Sequence, residues 1–398
     1  MNRNFFACVV LVSSSVLAGG FRLDGQDAQA MGMGNAVTAS ASGASSVYFN
    51  PAGLSGAKGF DALVGISLIL PTVSFNSTAS GESTSTKSSL SNPVNAYLSY
   101  GITDDLAVAV GFYTPFGASV LWPDRWEGSG RSLSSSVQTF DINPAVSYRL
   151  LGRLKLGVGL QIVRGTLFLE RGLDFGDSQG KVQVGGASWG IGWTAGVQGE
   201  VVEKRLFLGA SWKSAVSLAA KGRAHFVDVP APFQSLLADQ AVSADFTLPH
   251  VGTVGVTYAP TDSLRFGLDA NLVMWSSFKK LEIAFENQAL TNPLPKNWTN
   301  QVSVHLGGEY RPVEAFAVRL GAIYDPTGTP QDTLTPDLPD ATRIRVSAGA
   351  GWKSTFGLYA DLAYQLILLL PQRSTAAGMA GTYSGTAHVV ALNVGFKI

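Results

Sequence analysis

Side chains able to do acid–base, nucleophilic or metal chemistry are present in this 398-residue sequence, but few stand at spacings that would let them cooperate. The four histidines, His225, His250, His305 and His388, are scattered. Gly186-Ala187-Ser188-Trp189-Gly190 spells Gly-x-Ser-x-Gly but falls in a predicted strand, so no elbow presents a serine nucleophile, and no His-Glu-x-x-His holds zinc beside a base. His305 and Glu309 fall on one face of a predicted strand, too far apart for direct contact without side-chain reach, and suit a polar lumen better than a catalytic pair. Asp269, Arg319 and Asp361 could form an internal charge network without any catalysis. Gly32-Met33-Gly34 does not extend to a dinucleotide fingerprint, because position 37 is Val and no strand precedes it. No catalytic residue, metal or cofactor is expected, and the chain does not read as an enzyme.

The other chemically distinctive stretch is Phe49-Asn50-Pro51-Ala52-Gly53. Asn tolerates unusual backbone angles, Pro fixes φ and lacks an N–H, and Gly relieves steric limits, so this is turn chemistry flanked by the apolar Tyr48 and Leu54. Alone it would pass for a surface loop. Its meaning depends on the elements around it.

Those elements begin with an address. Arg3 supplies one positive charge, Phe5 to Val12 with Val16 and Leu17 an apolar core, and Val16-Leu17-Ala18 small cleavage-site residues, which predicts a signal peptide over 1–18 cut after Ala18 or Gly19. The only cysteine, Cys8, lies inside it. The mature chain therefore has no thiol, which excludes disulfides, Cys-ligated zinc and cysteine nucleophiles. Basic and acidic residues balance at 28 each, so no global field recruits nucleic acid. Residues 19–58 are rich in Gly, Ala and Ser and suit compact turns and short helices packed against something else.

From residue 59 to 398 one pattern repeats. Apolar residues take alternate positions over pieces of about ten residues, the period of a strand and the span of a tilted transmembrane strand. Phe266, Leu268, Ala270 and Leu272 alternate with Arg265, Gly267, Asp269 and Asn271. Val302, Val304 and Leu306 alternate with Ser303 and His305. Leu362, Tyr364 and Leu366 alternate with Asp361 and Gln365. The polar side carries Gly, Ser, Asn and isolated charges, as a wet lumen would, and only 14% of residues are charged, too few for a soluble exterior. Arg149, Lys155, Arg265, Arg319 and Arg345 all fall on the polar side, where they avoid the roughly 2–4 kcal/mol cost of a cation at the lipid midplane. Tyr100, Tyr148, Tyr258, Tyr310, Trp352 and Tyr364 sit toward strand ends on the apolar side, as an aromatic girdle does.

Fourteen such pieces, joined by alternating tight turns and long loops, predict an all-β fold: a fourteen-stranded antiparallel transmembrane barrel of the bacterial outer membrane. Side chains cannot fill a bore of that width, so it is either a channel or plugged, and residues 19–58 are the segment free to plug it.

Several stretches then resemble a known family. Phe49-Asn50-Pro51-Ala52-Gly53, Trp126-Glu127-Gly128 to Arg131 followed by Ile142-Asn143-Pro144-Ala145, Leu156-Gly157-Val158-Gly159-Leu160, Trp189-Gly190-Ile191-Gly192-Trp193, Trp275-Ser276-Ser277-Phe278-Lys279 and Leu338-Pro339-Asp340-Ala341-Thr342-Arg343 look like the FadL/TodX family of outer-membrane transporters for hydrophobic compounds. The resemblance implies an N-terminal hatch containing the Asn-Pro-Ala turn, uptake of long-chain fatty acids or aromatic hydrocarbons, and sideways release through a gap made by a kink in the third strand. The chain departs at Ile398, where an aromatic residue is usual, although Phe396 stays close.

On this resemblance Gly111, Tyr113, Pro115, Phe116 and Gly117 are the gap candidates, expected to face Asn50, Pro51 and Ala52. Leu121, Trp122 and Trp126, and Phe233, Leu236 and Leu237, are candidates for capturing ligand on outer loops, with packing of the loops on themselves as the alternative. Arg125, Arg131, Arg164 and Arg171 are all able to pair a ligand carboxylate. The stretch 76–91, rich in Ser and Thr, reads as a flexible outer loop. The expected partners are a hydrophobic small molecule and outer-membrane lipids, the expected form a monomer. A general diffusion porin is the other reading, and a barrel displaying adhesive loops a third.

Overall fold

The computed structural model describes residues 20–56 and 59–398. The expected signal peptide and its cleavage point lie outside the described residues. Fourteen antiparallel strands form the wall: β1 (Gly59–Ser77), β2 (Val94–Gly101), β3 (Leu106–Tyr113 and Gly117–Leu121), β4 (Ser134–Leu150), β5 (Leu154–Asp174), β6 (Gln179–Val202), β7 (Leu206–Lys213 and Val216–Val227), β8 (Gln240–Leu248 and Val251–Tyr258), β9 (Leu264–Val273, resumed at Ile283–Phe285), β10 (Gln301–Val313), β11 (Phe316–Asp325), β12 (Arg343–Lys353), β13 (Leu358–Ser374) and β14 (Gly381–Lys397). The last strand pairs with the first from Asp61↔Lys397 to Ser77↔Gly381, which closes the sheet and leaves it no edge. Ile398 completes the seam by exchanging backbone hydrogen bonds with Phe60, both at 2.9 Å.

The alternation faces as its chemistry requires. Val254, Phe266, Leu268, Val304, Leu320, Leu362 and Leu392 point outward, exposed to the hydrocarbon, while Asp269, Asn271, His305, Arg345 and Asn393 point inward and are buried. Tyr100, Tyr148, Tyr258, Tyr310, Trp352 and Tyr364 all lie on the outer face. No helix among the described residues is long and apolar enough to cross a membrane; the crossing is made by strands. The stretch 76–91 is more ordered than a solvated loop. Ser83–Ser85 pairs with the extended top of β1.

Inside the barrel lie α1 (Ala28–Gly32), α2 (Ser46–Phe49) and a 3-10 turn, Pro51–Leu54. Helices this short are marginal on their own. They persist because the wall supplies their hydrogen bonds: Asn393 accepts from Ala28 N (2.8 Å), Asp269 from Thr38 N (2.9 Å) and Asp61 from Ala44 N (3.0 Å). Asp269 thus belongs to the plug, and the charge network is instead Arg319 bound to Glu309 (2.7 Å) and Asp361 (2.6 Å). His305 bonds the Gly34 carbonyl (2.8 Å) and has no contact with Glu309. Filled by residues 20–56, the lumen is not the open polar bore of a porin.

Candidate functional site

The Asn50-Pro51-Ala52 turn is the plug's deepest anchor. Asn50 is fully buried, and its amide donates to the carbonyls of Thr38 (2.9 Å), Val197 (3.0 Å) and Ala210 (3.3 Å) while its Oδ1 accepts from Ala52 N (3.2 Å). Ser147 Oγ on β4 donates to the Ala52 carbonyl (2.9 Å). The turn lies so close to β5 and β6 that a Cβ on Gly157 would stand 2.3 Å from Pro51 and one on Gly196 1.9 Å from Asn50. Only glycine fits at these two wall positions. Phe49 and Gly53 flank this seat, Gly53 itself packing on the Ala41 carbonyl.

The third strand breaks where its sequence predicts. Tyr113 pairs with Asp141 and Gly117 with Gln138, so Thr114, Pro115 and Phe116 oppose only two residues of β4, a one-residue bulge. On the other edge, pairing of β3 with β2 stops at Ala96↔Phe112. Above it Lys87 N donates to the Leu121 carbonyl at 2.7 Å across the two sides of the wall. The broken segment turns inward and pairs with the plug. Leu23 N donates to the Pro115 carbonyl (2.8 Å), Gly117 N to the Phe21 carbonyl (2.7 Å), and Gln26 Nε2 to the Thr114 carbonyl (2.6 Å). Tyr113 meets Tyr48 edge-on at 5.0 Å, and Gly111 packs against Val47. The gap candidates therefore come together, but they face Phe21–Gln26 and Tyr48 instead of Asn50, Pro51 and Ala52. Asn50 is held away from them by the backbone carbonyls of β6 and β7 that it must satisfy.

Phe21 fills an aromatic cage beside that break. Its ring lies 4.6 Å from Trp275, 5.9 Å from Phe116 and 6.0 Å from both Phe278 and Trp298. Leu248, Val251 and Val273 extend the same apolar cluster. Next to it Arg22 and Lys213 line a small cavity with Phe116, Val163 and Val216. Neither cation has a carboxylate within ion-pair distance among the described residues. Lys213 Nζ instead sits 3.2 Å from the centre of the Tyr48 ring. Burial pushes the Tyr48 hydroxyl up to about 12, against the opposing pull of Arg22, so it stays neutral and donates to the Leu23 carbonyl (3.1 Å). Burial would raise Asp24 too, but Arg345 (2.7 Å), followed by Arg22, outweighs it and holds the carboxyl well below its usual range.

The outer mouth is covered by the β11–β12 connection, residues 326–342. Leu334 and Leu338 are buried, Trp122 Nε1 donates to the Pro336 carbonyl (2.9 Å) and Ser374 Oγ to the Leu334 carbonyl (2.8 Å), so the segment is held at both β3 and β13. Its latch is a buried ion pair, Lys296 to Asp337 at 2.7 Å, with Thr335 Oγ1 also on the ammonium at 2.8 Å. Burial would raise Asp337, and Lys296 outweighs it, so the carboxyl is held low.

The loop candidates separate. Trp122 and Trp126 stack at 4.3 Å inside this cover, where both indole N–H groups find carbonyls; they build the cover and expose no capture surface. Leu121 is half-buried beside them. Phe233 and Leu236 are exposed, with Leu237 half-buried and the Phe175 ring tilted against Phe233 at 5.1 Å. Beneath the plug a cavity of about 560 Å³ opens among Asp27, Asp61, Arg319, Lys353 and Asp361, with Leu63, Phe316, Trp352 and Phe356 also lining it. Among the described residues no cluster of three or more His, Cys, Asp or Glu side chains could hold a metal.

Residues 9–397 match the model of the Outer membrane protein transport protein family (OMPP1/FadL/TodX). A long-chain fatty acid transport protein of Salmonella typhi is 22% identical over 86% of this chain and 85% of its own. A Pseudomonas aeruginosa FadL homologue superposes with a TM-score of 0.84 at 20% identity, covering 95% of this chain and 99% of its own. The toluene transporter TodX of Pseudomonas putida gives 0.75 at 16% identity, covering 96% and 98%.

Proposed function

As this chain belongs to the OMPP1/FadL/TodX family of outer-membrane transport proteins, whose members are channels rather than enzymes, we propose that it takes up long-chain amphiphiles with an anionic head, fatty acids above all. A ligand is first held on the exposed loop surface of Phe233, Leu236 and Leu237. It then passes the 326–342 cover, displaces Phe21 from the aromatic cage, and sets its carboxylate between Arg22 and Lys213. Displacing Phe21 strips the backbone partners from Pro115 and Gly117, which leaves the broken segment of β3 held to β4 through Phe116 and Thr139. The ligand leaves sideways there into the membrane.

What carries this reading is adjacency. An apolar cage occupied by the chain's own phenyl ring, two cations with no carboxylate within ion-pair distance among the described residues, and the break in the β3 ladder all meet around residues 21–23 and 113–117. A charge-assisted hydrogen bond is worth about 1.5–3 kcal/mol, so the acid head is worth on the order of 10- to 100-fold in affinity. Equilibrium binding of a long-chain fatty acid and of its methyl ester tests this. The acid binds more tightly, and Lys213→Met reduces it toward the ester while leaving the ester unchanged. Equal binding of acid and ester by the unaltered protein would remove the carboxylate assignment; binding of neither would remove the transport reading.

A further inference from the structure

The outer face of β5–β7 carries three cations that the uptake path does not use. Arg164 stands directly opposite Trp189 across the β5–β6 ladder, and its guanidinium lies 5.4 Å from the indole centre. Lys221 pairs with Ala187 and Arg223 with Gly185 across the β6–β7 ladder. Their outward direction follows from their neighbours: Leu218, Ala220 and Ala224 on β7, and Val163 and Leu167 on β5, are buried in the lumen. None of the three has a carboxylate within ion-pair distance among the described residues. Other acids on this face are spoken for: Glu170 binds Lys181 (3.4 Å) and Gln183 (2.6 Å), and Asp239 binds His225 (2.7 Å). Asp245, outward beside Ala219, is the one acid flanking the group without an ion pair.

Their height is set by the strands. Leu154, Leu156, Val158 and Leu160 are exposed apolar residues leading up β5 from its periplasmic turn. Arg164 comes ten residues above Leu154, about the length of one membrane crossing. Trp189, 60% exposed, marks the same level on β6. The three cations therefore stand at the boundary of the outer leaflet. Between them the surface is flat: an added Cβ at Gly185 would meet nothing within 4 Å, and Ala187, Ala219 and Ala241 are the neighbours. From the strand spacings, the Cα atoms of Arg164 and Lys221 are about 12 Å apart, within joint reach of one extended, multiply charged headgroup. Below lie Trp189, Ile191 and Trp193, all exposed and able to support acyl chains.

We propose that this shelf binds a phosphorylated glycolipid of the outer leaflet, with phosphates on Arg164, Lys221 and Arg223 and acyl chains against Trp189, Ile191 and Trp193. The charge is complementary, and guanidinium groups match phosphate oxygens in pairs.

Native mass spectrometry of the full-length protein in neutral detergent, titrated with bisphosphorylated lipid A, tests the assignment. A 1:1 adduct is expected, lost on the order of 100-fold in Arg164→Gln/Lys221→Gln/Arg223→Gln, since each cation near an anionic lipid surface contributes about fivefold. Thermal unfolding confirms that this variant folds, and Lys87→Gln/Lys353→Gln serves as a charge control that keeps the adduct. Dephosphorylated lipid A is expected to bind no better to the unaltered protein than to the triple variant. Equal adduct formation by both proteins, or equal retention of the dephosphorylated lipid, would overturn the proposal. So would a thermal shift with inorganic phosphate alone as large as that with the lipid, which would mark an ion site instead.

Discussion

The latch at the outer mouth allows the sharpest perturbation. Lys296 is 1% exposed and its ammonium meets only Asp337 and Thr335 in the described structure. Asp337→Ala leaves a buried charge with one neutral partner, a loss of about 3–5 kcal/mol for a broken buried pair. That destabilises the closed cover by roughly 10²- to 10³-fold or more in its opening equilibrium. Replacing both partners, as Lys296→Met/Asp337→Leu, removes the orphaned charge and is expected to recover most of the loss, because apolar substitutes of similar volume are often neutral. Amide hydrogen exchange over residues 330–342 reads the opening directly. Faster exchange in the single variant and near-normal exchange in the double variant are expected. Unchanged exchange in Asp337→Ala, or equal exchange in both variants, refutes the latch. The same pair sets a pH response. Because Lys296 holds Asp337 below its unfolded value of about 4, the contribution is complete above that value and is lost as pH falls through the lower, folded one. The cover therefore stays shut at neutral pH and loosens only under strong acid.

Two further substitutions probe the plug. Asn50→Ala removes the donor shared by the carbonyls of Thr38, Val197 and Ala210, about 2–3 kcal/mol of anchoring; planar-bilayer recording should then show intermittent openings where the unaltered protein is quiet, and an equally quiet trace would contradict the anchor. Phe21→Ala empties the cage so that ligand no longer competes with a tethered ring; affinity for a long-chain acid, followed through Trp275 and Trp298 fluorescence, should rise about tenfold, despite a stability cost of roughly 3–5 kcal/mol. Weaker binding would mean that Phe21 is part of the ligand site, not its occupant.

Much of the architecture was legible because a barrel wall is written locally. Phe266-Gly267-Leu268-Asp269 declares its lipid and lumen faces within four residues, and the proline and glycines around Tyr113 declared the break in β3. What packs across the bore is not written locally. Trp122 and Trp126 look like exposed loop aromatics until residues 326–342, some two hundred positions away, fold over them. Lys213 and Arg22 are unremarkable in sequence, and their pairing depends on how the plug is threaded; the signal available was a lysine on the inward alternation of β7. Gly157 and Gly196 stood in glycine-rich strands, but that they seat the Asn50 turn follows only from its docking. The residue types of Asn50, Pro51 and Ala52 declare a turn, but not its neighbours, since the wall carbonyls that hold Asn50 belong to β6 and β7.

The central claim is that a hydrophobic ligand leaves through the wall at the third strand. Deleting Pro115 removes the one extra residue of the bulge and lets Thr114, Phe116 and Gly117 follow β4 in register, with Ala118 and Val120 still facing the lumen. Uptake of a labelled long-chain fatty acid by cells carrying this deletion, set beside binding of the same acid to the purified protein, is the most direct measurement. The wall exit predicts that uptake stops while binding persists. Uptake at the unaltered rate through the straightened strand would contradict it.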